Sequence, residues 1–196
     1  MKETFVFLAD GFEEIEALTA IDVLRRAGMT VRTVSITSSL SVTGAHGITV
    51  GADVLYDPSL FTDPAWLVLP GGMPGAKNLY EFAPLQGLLK RQMESKDGHI
   101  AAICAAPAVV LGQLGLLKDA RATCYPGFEE MLNCKKIESK PVVVDGKFVL
   151  GNGPANALIW ALAIVKVAFD DSYAEKIASD MLLYRKSDNN VDYYFG

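Results

Sequence analysis

The sequence predicts a three-layer α/β sandwich around a mostly parallel sheet, and three observations carry that expectation. Short continuous apolar runs at Thr4–Leu8, Trp66–Leu69 and His99–Ile103 read as strands buried on both faces. Helical patterns separate them, as the crossover between parallel strands requires. Small-residue or glycine-rich turns follow these runs at once, at the edge where ligands of open α/β sheets bind.

Taken in order, the first strand ends at Asp10-Gly11. A helix then places Ile15, Leu18, Ile21 and Leu24 on one stripe and stops at Gly28. A second strand over 31–36 completes a β-α-β unit, and the alternating, glycine-containing stretch 41–53 reads as a small hairpin or edge excursion. The strand at Trp66–Leu69 leads into Pro70-Gly-Gly-Met-Pro-Gly75, and a helix is expected over 79–95. After His99–Ile103 come a helix from Pro107 to about Leu114, a short strand over 121–125 and a short helix over 126–132. The runs 142–144 and 148–150, joined at Asp145-Gly146, form the clearest hairpin. A helix over 155–169 is apolar nearly all round and hence buried, and an amphipathic one over 172–184 follows.

Chain length and composition fit one domain over residues 1–196, its polar end from 185 loosely held; 51% hydrophobic and 21% charged residues describe a well-packed globule. A net charge of -5 without any Lys/Arg run argues against a nucleic-acid groove or a membrane surface as partner. No apolar run is long enough to span a bilayer, and the first one reaches Asp10 too early to be a signal-peptide core, so a cytoplasmic location is expected. The three cysteines, Cys104, Cys124 and Cys134, have no metal-ligand spacing, and their odd number suits a reducing compartment.

Cys104 falls on a strand-to-helix corner, where amide N–H groups and the positive end of a helix would lower its pKa from about 8.5. A buried core thiol is the competing reading. Neither histidine is an obvious base: His99 lies five extended residues before Cys104, roughly 16 Å away, and the place of His46 is not fixed by the sequence. The acidic cluster Asp10, Glu13, Glu14 and Glu16 follows the first strand. Its loop can converge with those after 66–69 and 99–103, bringing a carboxylate to face Cys104. Helix-dipole preference explains Glu13 and Glu14 equally well; Glu16, deepest in the helix and beside its apolar stripe, is the exception. The loop at Gly71-Gly72 lets backbone approach a ligand closely, yet lacks the spacing of a nucleotide-binding loop.

Four segments in this order, Leu8-Ala-Asp-Gly-Phe-Glu-Glu-Ile-Glu-Ala17, Ile21-Asp-Val-Leu-Arg-Arg-Ala-Gly28, Val68-Leu-Pro-Gly-Gly72 with Gly75-Ala76, and Ala101-Ala-Ile-Cys-Ala-Ala-Pro107, resemble the ThiJ/PfpI superfamily. They are most similar to its branch of parkinsonism-associated deglycases and the bacterial relative YajL. The resemblance implies a flavodoxin-like sandwich of the class I glutamine amidotransferase type, a homodimer, and no cofactor. It implies that Cys104 is a reactive thiolate on a strained elbow, that a protonated Glu16 hydrogen-bonds it, and that the amides of Gly72 and Ala105 form an oxyanion site. The implied activity is conversion of methylglyoxal or glyoxal to the hydroxy acid, or removal of early glycation adducts from proteins and nucleotides. Alternative roles in the family are a redox sensor with an oxidisable cysteine and a chaperone; inherited labels are thiazole monophosphate biosynthesis and intracellular protease. This chain has Tyr125-Pro126 where close relatives have a histidine before proline, which makes Tyr125, with Asp22, a candidate for the proton relay. Ala105 stands where protease-like branches have histidine, which disfavours peptidase activity.

Overall fold

The computed structural model describes residues 2–187 and 190–193. Strands β1 (Thr4–Leu8), β2 (Val31–Ser35), β3 (Ser41–Thr43), β4 (Thr49–Gly51), β5 (Val54–Leu55), β6 (Trp66–Leu69), β7 (His99–Ile103), β8 (Arg121–Ala122), β9 (Lys136–Ile137), β10 (Val142–Asp145) and β11 (Phe148–Gly151) alternate with helices α1 (Glu14–Arg26), α2 (Gly75–Glu81), α3 (Ala83–Glu94), α4 (Ala157–Ala168) and α5 (Asp171–Asp180). Seven strands form the main sheet in the order β10-β11-β7-β6-β1-β2-β5, every neighbouring pair parallel except β10 with β11. Helix α1 packs on α4 and α4 on α5, while α3 packs on β7 and α2 on the segment after β7. This is the flavodoxin-like α/β sandwich the sequence predicts.

The topology places the site. β1, β6 and β7 are adjacent and parallel at the sheet centre, with Val6 opposite Val68 and Leu69 opposite Ala102. Their carboxyl ends therefore open side by side, and three loops distant in sequence share one edge. Among the described residues no helix is long and apolar enough to cross a membrane.

Several elements depart from the expected boundaries. In α1 the buried face carries Glu16, Ala17, Ala20, Ile21, Val23 and Leu24, whereas Ile15 and Leu18 are exposed, so the helix is rotated from the stripe that apolar spacing suggests. The helix expected over 79–95 is two helices. Phe82 is extended between them, and Pro84, which lacks an N–H, sits in the first turn of the second. The segment after Cys104 is a π-helical turn at Pro107–Gly112, and 126–132 holds only a 3₁₀ turn at Glu129–Met131. Beyond α5, residues 184–187 and 190–193 pair as antiparallel strands β12 (Tyr184–Ser187) and β13 (Asn190–Tyr193).

Trp160 of α4 is fully buried, and its indole N–H donates to the Val149 carbonyl of β11 at 3.0 Å, fixing the helix on the sheet. Trp160→Ala should destabilise the fold by about 3–5 kcal/mol. Trp160→Phe should cost about 1–3 kcal/mol, because it keeps most of the volume and loses the donor. Urea unfolding of both variants checks the order.

Candidate active site

Cys104 follows β7 directly, at φ 64. That left-handed backbone costs a non-glycine residue about 1–3 kcal/mol. Two bonds hold it: the Cys104 amide donates to the Gly151 carbonyl at 2.9 Å, and the Tyr125 amide donates to the Cys104 carbonyl at 2.8 Å. The strained corner turns the side chain out of the strand, leaving Cys104 8% exposed. The amides of Gly72 and Ala105 both hydrogen-bond the sulfur.

Glu16 comes to the same point from the first turn of α1 and is completely buried. Its Oε2 accepts the Gly71 amide at 2.8 Å. Oε1 is buried without an aligned donor, and the carboxyl interacts with the Cys104 thiol. Glu13 anchors this turn. Its carboxylate caps the helix by accepting the Glu16 amide at 2.7 Å, and its own amide donates to the Gly71 carbonyl at 3.0 Å. A side chain at Gly71 is impossible, since its Cβ would lie 2.6 Å from Cys104 Cβ and 2.8 Å from Glu16 Oε2.

Burial raises the Glu16 carboxyl to about 7, against the opposing bonds from the Gly71 amide and Cys104; the Glu13 charge adds to the rise. The Cys104 thiol is pushed up to about 12, first by burial, then by the charge and hydrogen bond of Glu16, while the Gly72 and Ala105 amides act the other way. The expected lowering of the thiol pKa is thus reversed: desolvation and a neighbouring carboxylate outweigh the two amides. The cause is specific. With Glu16 ionised the proton stays on sulfur; with Glu16 protonated its contributions to the rise vanish, and the carboxyl becomes a donor facing sulfur. Two adjacent buried anions are disfavoured, so the pair is built to share one proton at neutral pH.

The remaining candidates lie elsewhere. Asp22 is six residues beyond Glu16, about 9 Å further along the helix, and is exposed in an ion pair with Arg26 at 2.7 Å; it is not a relay to the thiol. Tyr125 sits at the site, its amide bound to the Cys104 carbonyl and its ring lying against Gly153. His99 stacks on Trp66, ring centroids 4.6 Å apart, at the opposite end of β7. His46 is exposed and bonds the buried Glu14 through Nδ1 at 2.7 Å. Cys124 and Cys134 are free, and burial raises both thiols.

Two structural partners escaped the sequence reading. Glu13 acts as a helix cap, though the expected capping types are Ser, Thr, Asp and Asn. Glu14 ties the β3–β4 hairpin to α1, receiving the His46 amide at 2.7 Å and the Ile48 amide at 3.4 Å; nothing local links residues 32 apart. Glu13, Glu14 and His46 are also the described residues whose ligating atoms lie close enough, within 4.8 Å, to hold a cation.

The model of the DJ-1/PfpI family matches residues 2–167, a span that includes all of these groups. Protein DJ-1 homolog B of Arabidopsis thaliana is 36% identical over 93% of this chain. The chain spans less than half of that relative and of the Arabidopsis homolog A, 42% and 47% of their lengths. Deglycase PH1704 of Pyrococcus horikoshii is 31% identical over 85% of this chain and 99% of its own. A solved structure of oxidized Toxoplasma gondii DJ-1 superposes with a TM-score of 0.88 at 36% identity, covering 93% of this chain and 98% of that one. The resemblance carried by four sequence segments therefore extends through sequence and fold, and the chain belongs to the DJ-1/PfpI family.

Proposed function

We propose that the protein is a cofactor-independent, cysteine-dependent enzyme of carbonyl stress defence, converting methylglyoxal or glyoxal to the hydroxy acid. The observation that carries this reading is the convergence on the Cys104 sulfur of two backbone donors and one buried carboxyl. Such a set suits addition to a carbonyl. The thiolate forms the C–S bond to the aldehyde carbon, and the oxygen takes the electron pair in the reach of the Gly72 and Ala105 amides. Glu16 delivers its proton to that oxygen, giving a hemithioacetal, and as carboxylate is placed to take the hydrogen from the same carbon. Return of that proton to the adjacent carbon gives a 2-hydroxy thioester, and water releases the acid and the thiol. Oxidation of one carbon balances reduction of its neighbour, so no external redox partner is needed.

The same attack would open an early glycation adduct, and the relative named a deglycase supports that variant. A redox-sensing role is favoured by Glu16 Oε1. Two equivalents of peroxide would convert the thiolate to a sulfinate, reducing each peroxide to water or hydroxide, and a protonated Glu16 would donate to one sulfinate oxygen. Three free cysteines fit a cytoplasmic setting. A homodimer is supported by the exposed apolar side chains of Ile15 and Leu18 on α1 and of Ile48 in the hairpin that Glu14 ties to that helix.

Glu16→Gln separates nucleophilicity from proton transfer. Losing the carboxylate charge should speed iodoacetamide labelling of Cys104 at pH 8 by about tenfold, the equivalent of one pKa unit. Methylglyoxal turnover should fall about 100-fold or more with the lost acid. Mass spectrometry and lactate formation report the two; slower labelling with undiminished turnover would overturn the assignment.

Stability should carry the mark of the same proton. The folded pKa of about 7 lies above the ordinary 4.5, so Glu16 contributes fully below pH 4.5 and its contribution is lost as pH rises to 7. Over that window wild type should lose about 3 kcal/mol relative to Glu16→Gln. Urea titrations at several pH values test this, and a constant difference would contradict a buried, proton-holding Glu16.

For the oligomer, light scattering should give a dimer for wild type and a monomer for Leu18→Glu. Monomeric wild type at micromolar concentration would remove the dimer.

A further inference from the structure

Glu14 has no place in the steps above, yet it is 3% exposed. Its carboxylate is the tie between α1 and the β3–β4 hairpin: Oε1 accepts the His46 amide at 2.7 Å and the Ile48 amide at 3.4 Å, and Oε2 meets His46 Nδ1 at 2.7 Å. The hairpin is fitted to that carboxylate. A Cβ on Gly44 would stand 2.4 Å from Glu14 Cδ and Oε1, so only glycine leaves room for the side chain. The chain just before Glu14 follows the same hairpin, with the Gly11 amide donating to the Thr43 carbonyl and the Ala45 amide to the Phe12 carbonyl, each at 2.8 Å.

Glu14 and Glu16 stand two residues apart in a helix, about 200° around its axis. They therefore leave nearly opposite sides of one turn, and each is buried and held, Glu16 by the Gly71 amide and Glu14 by the hairpin. Together the two grips fix the rotation of α1. That rotation opposes the hydrophobic effect, because it buries two carboxyl groups and leaves Ile15 and Leu18 exposed. With one grip released, the helix is free to turn toward burying its apolar stripe, which carries Glu16 away from the thiol. We infer that Glu14 is a positioning residue: gripped by the hairpin, it holds α1 in the rotation that presents Glu16 to Cys104. The inference rests on the pairing of Glu16 with the thiol and not on which carbonyl compound reacts there.

The test reads Cys104 of the intact protein by its rate of iodoacetamide labelling at pH 8. Withdrawing Glu16 removes its charge and hydrogen bond, both of which raise the thiol pKa. Glu14→Ala should therefore label about fivefold faster than wild type, approaching Glu16→Gln. Glu14→Gln keeps an oxygen for the two amides and offers an N–H to a neutral His46, and should restore the wild-type rate. Gly44→Ala puts a methyl group where the carboxylate lies and should label as fast as Glu14→Ala; in the Glu14→Ala background, where that space is vacant, it should add nothing. Because Glu14 acts through Glu16, Glu14→Ala should also add nothing to Glu16→Gln, whereas a general loosening of the fold would speed labelling in both backgrounds alike. Wild-type rates in Glu14→Ala and Gly44→Ala, or full additivity with Glu16→Gln, would overturn the positioning role. Methylglyoxal turnover is followed on the same proteins. The expected labelling pattern with no turnover even in wild type would support the positioning role and overturn the proposed reaction instead.

Discussion

The hydrogen bond from the Gly71 amide to Glu16 Oε2 turns three loops into one site. It has a reciprocal partner, since the Gly71 carbonyl accepts the Glu13 amide while the Glu13 carboxylate caps the Glu16 amide. One glycine beyond β6 thus grips the first turn of α1 through both its donor and its acceptor. Cys104 arrives from the next strand, whose register with β6 is fixed as far as Leu69 opposite Ala102. The spacing of sulfur and carboxyl is then set by sheet pairing and backbone bonds, which move far less than side-chain rotamers do.

That rigidity holds a state that isolated residues would leave. Cys104 keeps a positive φ, and Glu16 keeps a buried oxygen without an aligned donor. Each is unfavourable by a few kcal/mol, and both meet at one point between well-packed strands. The shared proton follows from this burial. Were the site open to water, both groups would titrate near their ordinary values; closed, burial raises both, and the Glu16 charge raises the thiol further.

Much of the fold was legible because central parallel strands announce themselves as unbroken apolar runs, and β1, β6 and β7 all do. The corner at Cys104 and the glycine loop were legible for the same reason, since each directly follows such a run. The rotation of α1 was not. Ile15 and Leu18 fit a helical stripe, but Glu16 and the small Ala17 and Ala20 occupy the packed face, because a buried carboxyl with a fixed donor outcompetes apolar spacing as the determinant of orientation. The thiol's raised pKa was illegible too. Its sign depends on how completely Cys104 and Glu16 are desolvated, a quantity of tertiary packing, whereas the opposing amides belong to local geometry. Glu14 and His46 are joined across 32 residues, and no short-range pattern records such a pair.

Empty space is the last constraint. At Gly72, where φ is 87, a Cβ would stand 2.5 Å from the Glu13 amide nitrogen and the Gly11 carbonyl, and at Gly71 it would displace both Cys104 and Glu16. Only bare backbone fits there, so the donors that reach the sulfur are peptide amides. Amides neither titrate in the physiological range nor swing away. The charge that changes during any reaction at Cys104 is therefore confined to the sulfur, its adduct and one carboxyl. A side-chain donor such as lysine or histidine would have added a second titration and blurred that division. The glycines at the end of β6 thus shape the chemistry of the cysteine as directly as its own neighbours do, by deciding which kind of donor can come close.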